Sequence, residues 1–542
     1  MKRIVFTLVW LMAVLAMSAQ TIYPKHEVRA VWLTTIGGLD WPHNYSNGGA
    51  SAERQKEELR QILNKLQKAN VNTVLLQTRV RATTIYPSSM EPWDGCLSGH
   101  PGQSPGYDAL AFAIDECHKR GMELHAWVVT IPVGKWNALG CARLRQRYPK
   151  LIMKIGPDGY MNPESEQTGD YLASMCREIV SNYDVDGIHL DYIRYPETWN
   201  RKMNVNAGRQ HITSIVRKIH RIVKNEKPWV KMSCSPVGKY DDLTRYWSHG
   251  WNANTKVCQD AQGWLRDGLM DELFPMMYFK GNNFFPFAID WAECSYGRIV
   301  APGLGIYMLH PKELNWSLDI VKRELNVVRD YGMGHCYFRS KFFTDNTKGI
   351  YDYVSRQHDR YPALIPPMTW AHPTPPQAPT NLRVAGGSIS WCAPRTDGRT
   401  PYLLYNIYAS RTWPVDVDDV RNLVMPRWQK TKAAIDERMY YAVTAIDRFG
   451  NESAPVQMDR GTVVQAAQWL KNDGRYLSIP EKPKVSDAQY LVVETLAGNI
   501  VATRPYQGTR VDIRQLAEGV YTLRSVNRRN VTHRLGQFIV KR

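Results

Sequence analysis

The stretch Asp184-Val-Asp-Gly-Ile-His-Leu-Asp-Tyr-Ile-Arg-Tyr-Pro196 starts as an apolar strand and ends in polar and aromatic groups. Period-2 alternation predicts Gly187, His189 and Asp191 on one face, with Asp186, Ile188 and Leu190 on the other. A carboxylate closing an apolar strand is costly unless it is partnered. Asp191 is therefore expected to be paired structurally or to work as an ionised nucleophile or general base, and a cation such as Arg194 would favour that charge state. His189 sits one layer deeper on the same face. Asp186, near the strand's start, reads as a structural acid.

Hydrolysis of an acetal between sugars ordinarily takes two carboxyl groups. The partner of Asp191 stays open among Glu91, Asp94, Asp40 and Glu197. Asp108 reads instead as a helix cap. Other strand ends offer groups that could hold a substrate: Asp40 and Trp41, Gln77 and Arg79, His125 and Trp127, and Tyr278, with His189 and Arg194 beside Asp191. Trp41, Trp127 and Tyr278 carry flat apolar faces suited to sugar rings. Metal-binding motifs, a G-x-S-x-G elbow and a phosphate loop are absent, so neither a metal nor a cofactor is expected.

These residues need a scaffold that brings strand ends together. Strand-like windows fall at 28–35, 71–79, 123–130, 185–191, 230–236, 273–279, 299–307 and 334–339. Helical windows alternate with them at 51–68, 107–119, 166–182, 204–224, 259–267 and 312–330, with a last helix ending near Ser355. Eight strands alternating with helices predict a (β/α)8 barrel over residues 20–362, whose active site would lie at the C-terminal ends of the strands. A doubly wound sheet fits less well, because no G-x-G-x-x-G opens a helix after the first strand.

At 542 residues the chain exceeds one ordinary domain. Residues 363–379 are proline-rich and predict an extended linker crossed by few contacts. Short alternating strands then predict two all-β sandwiches, at 380–458 and 480–542. At the other end, Lys2 and Arg3, the apolar run Ile4–Met17 and small Ser18-Ala19 read as a secretory signal over residues 1–19. No later window approaches a membrane-spanning length. Nine scattered cysteines without a C-x-x-C pair suit buried apolar positions better than a zinc site or disulfide framework. The formal charge of +18 suits acidic glycans or anionic surfaces. Nucleic acid is not expected, since no motif for it is present.

The opening Glu27-Val-Arg-Ala-Val-Trp-Leu-Thr-Thr with Leu39-Asp-Trp-Pro resembles the start of glycosyl hydrolase-like family 10 proteins. Gln77-Thr-Arg79, Ile85-Tyr-Pro-Ser-Ser, Glu91-Pro-Trp, Pro105-Gly-Tyr-Asp, His125-Ala-Trp, Asp186-Gly-Ile-His-Leu-Asp191-Tyr and Ser235-Pro extend the likeness to about residue 360. The resemblance implies a TIM-barrel glycoside hydrolase, secreted, periplasmic or at the surface of a Gram-negative bacterium. It further implies a polysaccharide substrate, best matched by peptidoglycan strands lacking stem peptides. Gln103, also a candidate for holding substrate, departs from the pattern, since some relatives carry a glutamate there. Residues 378–456 resemble a fibronectin type III module. Residues 489–542 resemble the sorting domain of type IX secretion cargo, which implies secretion machinery as a partner. The rival expectation is a non-catalytic glycan-binding or adhesion protein built on the same barrel.

Overall fold

The computed structural model describes residues 23–541 apart from 201–202, 247, 397, 437, 459–469, 480–487, 496–499, 507–509 and 528–531. The expected signal segment at 1–19 lies outside the described residues. So does Ala497-Gly-Asn499, part of the expected sorting motif.

Eight parallel strand positions form the first unit. They are β1 (Arg29–Leu33), β2 (Thr73–Arg79), β3 (Glu123–Val129), β4 (Gly187–Asp191), β5 (Lys231–Cys234), β6 (Glu272–Leu273 and Met276–Met277), β7 (Ile299–Val300 and Gly303–Leu304) and β8 (His335–Tyr337). Each pairs in parallel with the next, and β8 pairs with β1, so the ring closes. β6 and β7 are shorter than expected because Pro275 and Pro302 interrupt them. Proline lacks the N–H that a ladder needs.

Helices α1 (Gly49–Lys68), α2 (Ala109–His118), α3 (Glu166–Asn182), α4 (Val205–Glu226), α5 (Ala261–Arg266), α6 (Phe285–Glu293), α7 (Leu318–Asp330) and the short α8 (Ile350–Tyr353) alternate with the strands. Helical spacing decides which face each one buries. In α1, Leu59, Leu63 and Leu66 turn inward, and in α4 Ile212, Ile215, Val216, Ile219 and Val223 do so. No described helix is long and apolar enough to cross a membrane. All nine cysteines are free thiols, seven of them buried.

One feature between β3 and α3 was absent from the periodic pattern. Strands Pro132–Lys135, Ile152–Ile155 and Asp158–Met161 form a small antiparallel sheet, with helix Leu139–Arg147 between the first two. Four-residue strands around tight turns are too short to show alternation.

After the barrel come small antiparallel sheets. Thr380–Ala385, Ser388–Cys392 and Lys432–Ala434 make a three-stranded sheet. Leu404–Ser410, Leu423–Trp428, Tyr440–Ile446 and Val456–Gln457 make a four-stranded one. Between them lie Ile389, Trp391, Tyr405, Ile407 and Val443. Further on, Ala488–Thr495, Ile500–Pro505, Gly519–Asn527 and Thr532–Val540 form another four-stranded sheet, beside the pair Tyr476–Ser478 and Arg510–Asp512.

The proline-rich segment corrects an expectation. It is extended, but it is not a free tether. Ala363, Leu364, Ile365 and Met368 are buried. Leu364 donates its N–H to the Lys25 carbonyl and accepts from the Glu27 N–H, both at 2.8 Å. Trp370 donates to Asp271 at 2.9 Å. Its apolar residues supply burial that proline content alone does not reveal.

Candidate active site

β4 delivers Asp191 to the C-terminal rim of the barrel, where a cavity of ≈ 410 Å³ opens. Trp32, Trp127, Tyr192, Arg194, Ser235 and Tyr278 share the lining with it. Asp191 is half-buried. Its Oδ1 accepts from the Ser235 hydroxyl and the Tyr192 N–H, each at 2.8 Å, and its Oδ2 accepts from Trp127 Nε1 at 3.1 Å. All three donors are neutral, and no ion pair with Asp191 occurs among the described residues. Three donors fix the carboxylate's orientation. Tyr192 adopts φ 57, a left-handed turn that ends the strand directly after Asp191.

Beneath the carboxylate, Trp32 Nε1 donates to His189 Nε2 at 3.2 Å. The His189 proton must then sit on Nδ1, which meets Ser233 Oγ at 3.0 Å. Burial, and secondarily His125, push the His189 imidazole well below its ordinary range, so it is neutral. Its role is to pin the indole of Trp32, whose ring forms part of the cavity wall.

The sequence candidates separate sharply. Trp127 and Tyr278 line the cavity, with Tyr278 stacked on Phe338 at 5.1 Å. Arg194 lines it too, lying 3.9 Å over the Tyr192 ring and bonding Glu197 at 2.5 Å. Gln77 reaches the cavity, but its Oε1 accepts from the Thr35 and Ile36 N–H groups and so shapes the loop after β1. Trp41 is fully buried and donates to the Gln55 carbonyl, so it is core rather than a platform. His125 is buried between Glu123 at 3.0 Å and Glu272 at 3.7 Å, deep in the barrel. Gln103 is exposed on the loop that follows helix Gly95–Ser98 and does not line the cavity.

Arg79 and Glu91 meet each other instead of substrate. Both are buried; Arg79 Nε and Nη2 reach the Glu91 carboxylate at 2.6–3.0 Å, while Nη1 caps the carbonyls of Val129 and Thr130. Tyr171 adds a bond to Glu91 at 2.9 Å. Asp40 is equally occupied, by the Thr34 N–H and hydroxyl, Arg339 and the Lys341 N–H. Asp94 caps helix Gly95–Ser98 through the Cys96 N–H and accepts from Thr83. Asp108 caps α2, as expected. Glu197 alone of the four candidate partners bonds to cavity-lining residues on the Asp191 loop, Arg194 and the Tyr192 hydroxyl. Burial works to raise its carboxyl, but Arg194 and Tyr192 outweigh that and hold it below its ordinary value.

Several lining residues were missed by sequence reasoning. Ser235 was visible only as part of Ser235-Pro. Trp32, Arg81, Phe338 and Arg339 gave no signal, because which face of β1 turns inward and where β8 ends depend on closing the ring. Arg81 is exposed and has no carboxylate partner among the described residues. A buried trio, His335, His358 and Asp359, has metal-like spacing. Arg29 and Arg329 already contact Asp359, at 3.4 and 2.6 Å, and such cations disfavour a metal ion.

The closed parallel barrel is a (β/α)8 fold, and Asp191 stands at the C-terminal rim where proteins of this class place their active sites. The glycosyl hydrolase-like 10 family model matches residues 27–210 and 197–308, and the chain belongs to that family. It is 27% identical over 483 residues to the glycosyl hydrolase YngK of Bacillus subtilis, covering 79% of this chain and 92% of that one. Residues 1–362 are only about two thirds of the chain, so this match extends beyond the barrel. It is 29% identical over 297 residues to the glycosyl hydrolase DigH of Escherichia coli K12, covering 48% of this chain and 67% of that one. Among solved structures, the glycoside hydrolase domain of PgaB (BpsB) from Bordetella bronchiseptica aligns with TM-score 0.45 at 11% identity, covering 61% of this chain and 98% of that domain.

Proposed function

We propose that this protein hydrolyses O-glycosidic bonds of an anionic polysaccharide, with Asp191 as the ionised nucleophile or base. The observation that carries this is the Asp191 carboxylate itself. It ends β4, faces a cavity with aromatic walls, and is held by three neutral donors that leave its charge unquenched. Glu197 is the best second carboxyl. In the free protein Arg194 holds it ionised. A substrate carboxylate drawing Arg194 away would let burial raise Glu197 toward the protonated state that an acid needs.

Peptidoglycan strands stripped of stem peptides are the best single substrate. Arg81, Arg194 and Arg339 line the cavity, and a lactyl carboxylate on alternate sugars offers the planar partner that guanidinium groups prefer. Stem peptides would remove that free carboxylate. Secretion through residues 1–19 and delivery through 480–542 accord with such a substrate. The three- plus four-stranded unit at 380–458 supports a fibronectin type III-like reading.

The test compares stripped strands, intact peptidoglycan, chitin oligomers and neutral glucans by release of reducing ends. Stripped strands are expected to be cleaved fastest. Fastest cleavage of neutral glucans, with none of stripped strands, overturns the substrate. One observation favours the rival reading, a glycan-binding barrel without turnover: Glu91, Asp94 and Asp40 are all fixed in structural bonds. Tight binding of stripped strands with no reducing ends released from any glycan would establish it.

A further inference from the structure

The floor of the barrel, opposite the cavity, is completed by side chains from the second unit. Arg427, in strand Leu423–Trp428, donates to Glu123 at 2.9 Å and to Asp186 at 2.8 Å. Arg448, just past strand Tyr440–Ile446, donates to Asp184 at 2.7 Å and to Asp186 at 3.1 Å. Lys231 reaches the same Glu123 at 2.8 and 2.9 Å. Arg427, Arg448, Glu123, Asp186 and Lys231 are all buried, none more than 7% exposed. The approach is close. Gly121 turns with φ 71, and a Cβ there would lie 2.4 Å from the Pro426 carbonyl oxygen.

The strands held in this way are the ones that build the site. Glu123 opens β3, Asp186 immediately precedes β4, and Lys231 opens β5. At their other ends stand Trp127, Asp191 and Ser235, the carboxylate and its two side-chain donors. At roughly 3.3 Å per residue, floor and rim are about 13–17 Å apart along each strand. A close-packed barrel passes a shift at one strand end to the other with little give.

We propose that Arg427 and Arg448 are positioning residues for the barrel's cavity, setting the spacing of Trp127, Asp191 and Ser235 by clamping the floor ends of β3, β4 and β5. The sandwich is then a working part of the barrel rather than an appended binding module. The effect on turnover rests on the reading of Asp191 given above; the effect on strand order does not. Burial resists charge on Glu123 and Asp186, yet the surrounding cations hold Glu123 at about 2 and Asp186 well below the usual carboxylate range. Without the guanidinium groups, Glu123 would keep Lys231 and His125, and Asp186 would keep His118 and the Leu124 N–H.

The test uses the full chain with Arg427→Met, Arg448→Met, both together, and Arg448→Met combined with Asp186→Asn. Amide exchange is followed by mass spectrometry in peptides covering 126–131, 189–195 and 233–238, beside kcat and KM on the best glycan. In the folded double variant, exchange at all three rim peptides is expected to quicken about tenfold and kcat to fall about tenfold, with KM changing less. Asp186→Asn should restore part of the Arg448→Met loss by removing a buried charge that has one guanidinium fewer to face. If the double variant does not fold, Arg427→Lys is read in the same way, since lysine keeps the charge and loses the two-bond fork. Wild-type protection at the rim, with faster exchange confined to the floor and sandwich, overturns the proposal. A chain with no turnover at all would refute the hydrolase reading while leaving the exchange result decisive.

Discussion

The acids at the floor of the barrel and Asp191 at its rim are held in opposite ways. At the floor, Glu123, Asp186, Glu27 and Asp359 are buried and meet guanidinium, ammonium or imidazole groups. At the rim, Asp191 is half-exposed, faces open space and is held by an indole, a hydroxyl and a backbone N–H. A carboxylate matched by a cation has its charge neutralised where it stands, which is what a scaffold needs. A carboxylate oriented by neutral donors keeps a charge that a developing positive centre can use. Burial and hydrogen bonding are common to both; the charge of the partner separates the floor acids from Asp191.

The largest expected effect breaks the floor. Asp186→Ala removes the carboxylate that Arg427, Arg448 and His118 share, leaving Arg427 only the carboxylate of Glu123 and Arg448 only that of Asp184, and unfolding in urea should show a loss of about 3–5 kcal/mol. Ordinary stability in that variant would mean that the network is solvated and the contrast false.

A second expectation concerns an acid that fits neither end. Glu324, on α7, is fully buried, and its carboxylate oxygens have no hydrogen-bond partner in the described structure. Burial pushes it up to about 9. The unfolded chain ionises it near its ordinary value, so between about 4.5 and 9 the folded state holds the extra proton. Its contribution therefore falls as pH rises through that window, by about 1.4 kcal/mol per pH unit. Glu324→Gln should flatten this slope in melts from pH 5 to pH 9, and an unchanged slope would show that Glu324 is hydrated.

How much of this was legible in the sequence follows from the range of each interaction. Asp191 could be read because period-2 alternation needs only a few residues, and the eight-strand rhythm because each element carries its own periodicity. The caps at Asp94 and Asp108 are equally local, although only Asp108 was read as one. Arg79 looked like a rim residue, since nothing local reveals that the chain turns after β2 to bring back Glu91. Trp41 looked like a platform because its strand-end position does not show that α1 covers it. Arg427 lies 304 residues from Glu123, beyond the reach of any pattern.

Smaller effects sharpen the rim side of the contrast. Ser235→Ala removes one donor from Asp191 and should slow turnover about 10- to 30-fold, or about 1.5–2 kcal/mol, with the melting temperature nearly unchanged. A melt lowered as far as that of Asp186→Ala would place Asp191 among the structural acids. Smallest is Arg81→Gln, expected to raise KM for stripped strands a few-fold at low salt, or roughly 0.5–1 kcal/mol, and less as salt screens the charge. An equal rise for neutral glucans would assign Arg81 to shape rather than charge.

The most direct measurement is the rate of reducing-end release by Asp191→Asn on the best-cleaved glycan, with its melting curve recorded beside that of the wild type. Asparagine keeps the shape and removes the charge. If Asp191 is the catalytic carboxylate, the rate falls by about a thousandfold or more while the melting temperature stays within a few degrees. Turnover at the wild-type rate, or a variant that simply unfolds, would contradict that assignment.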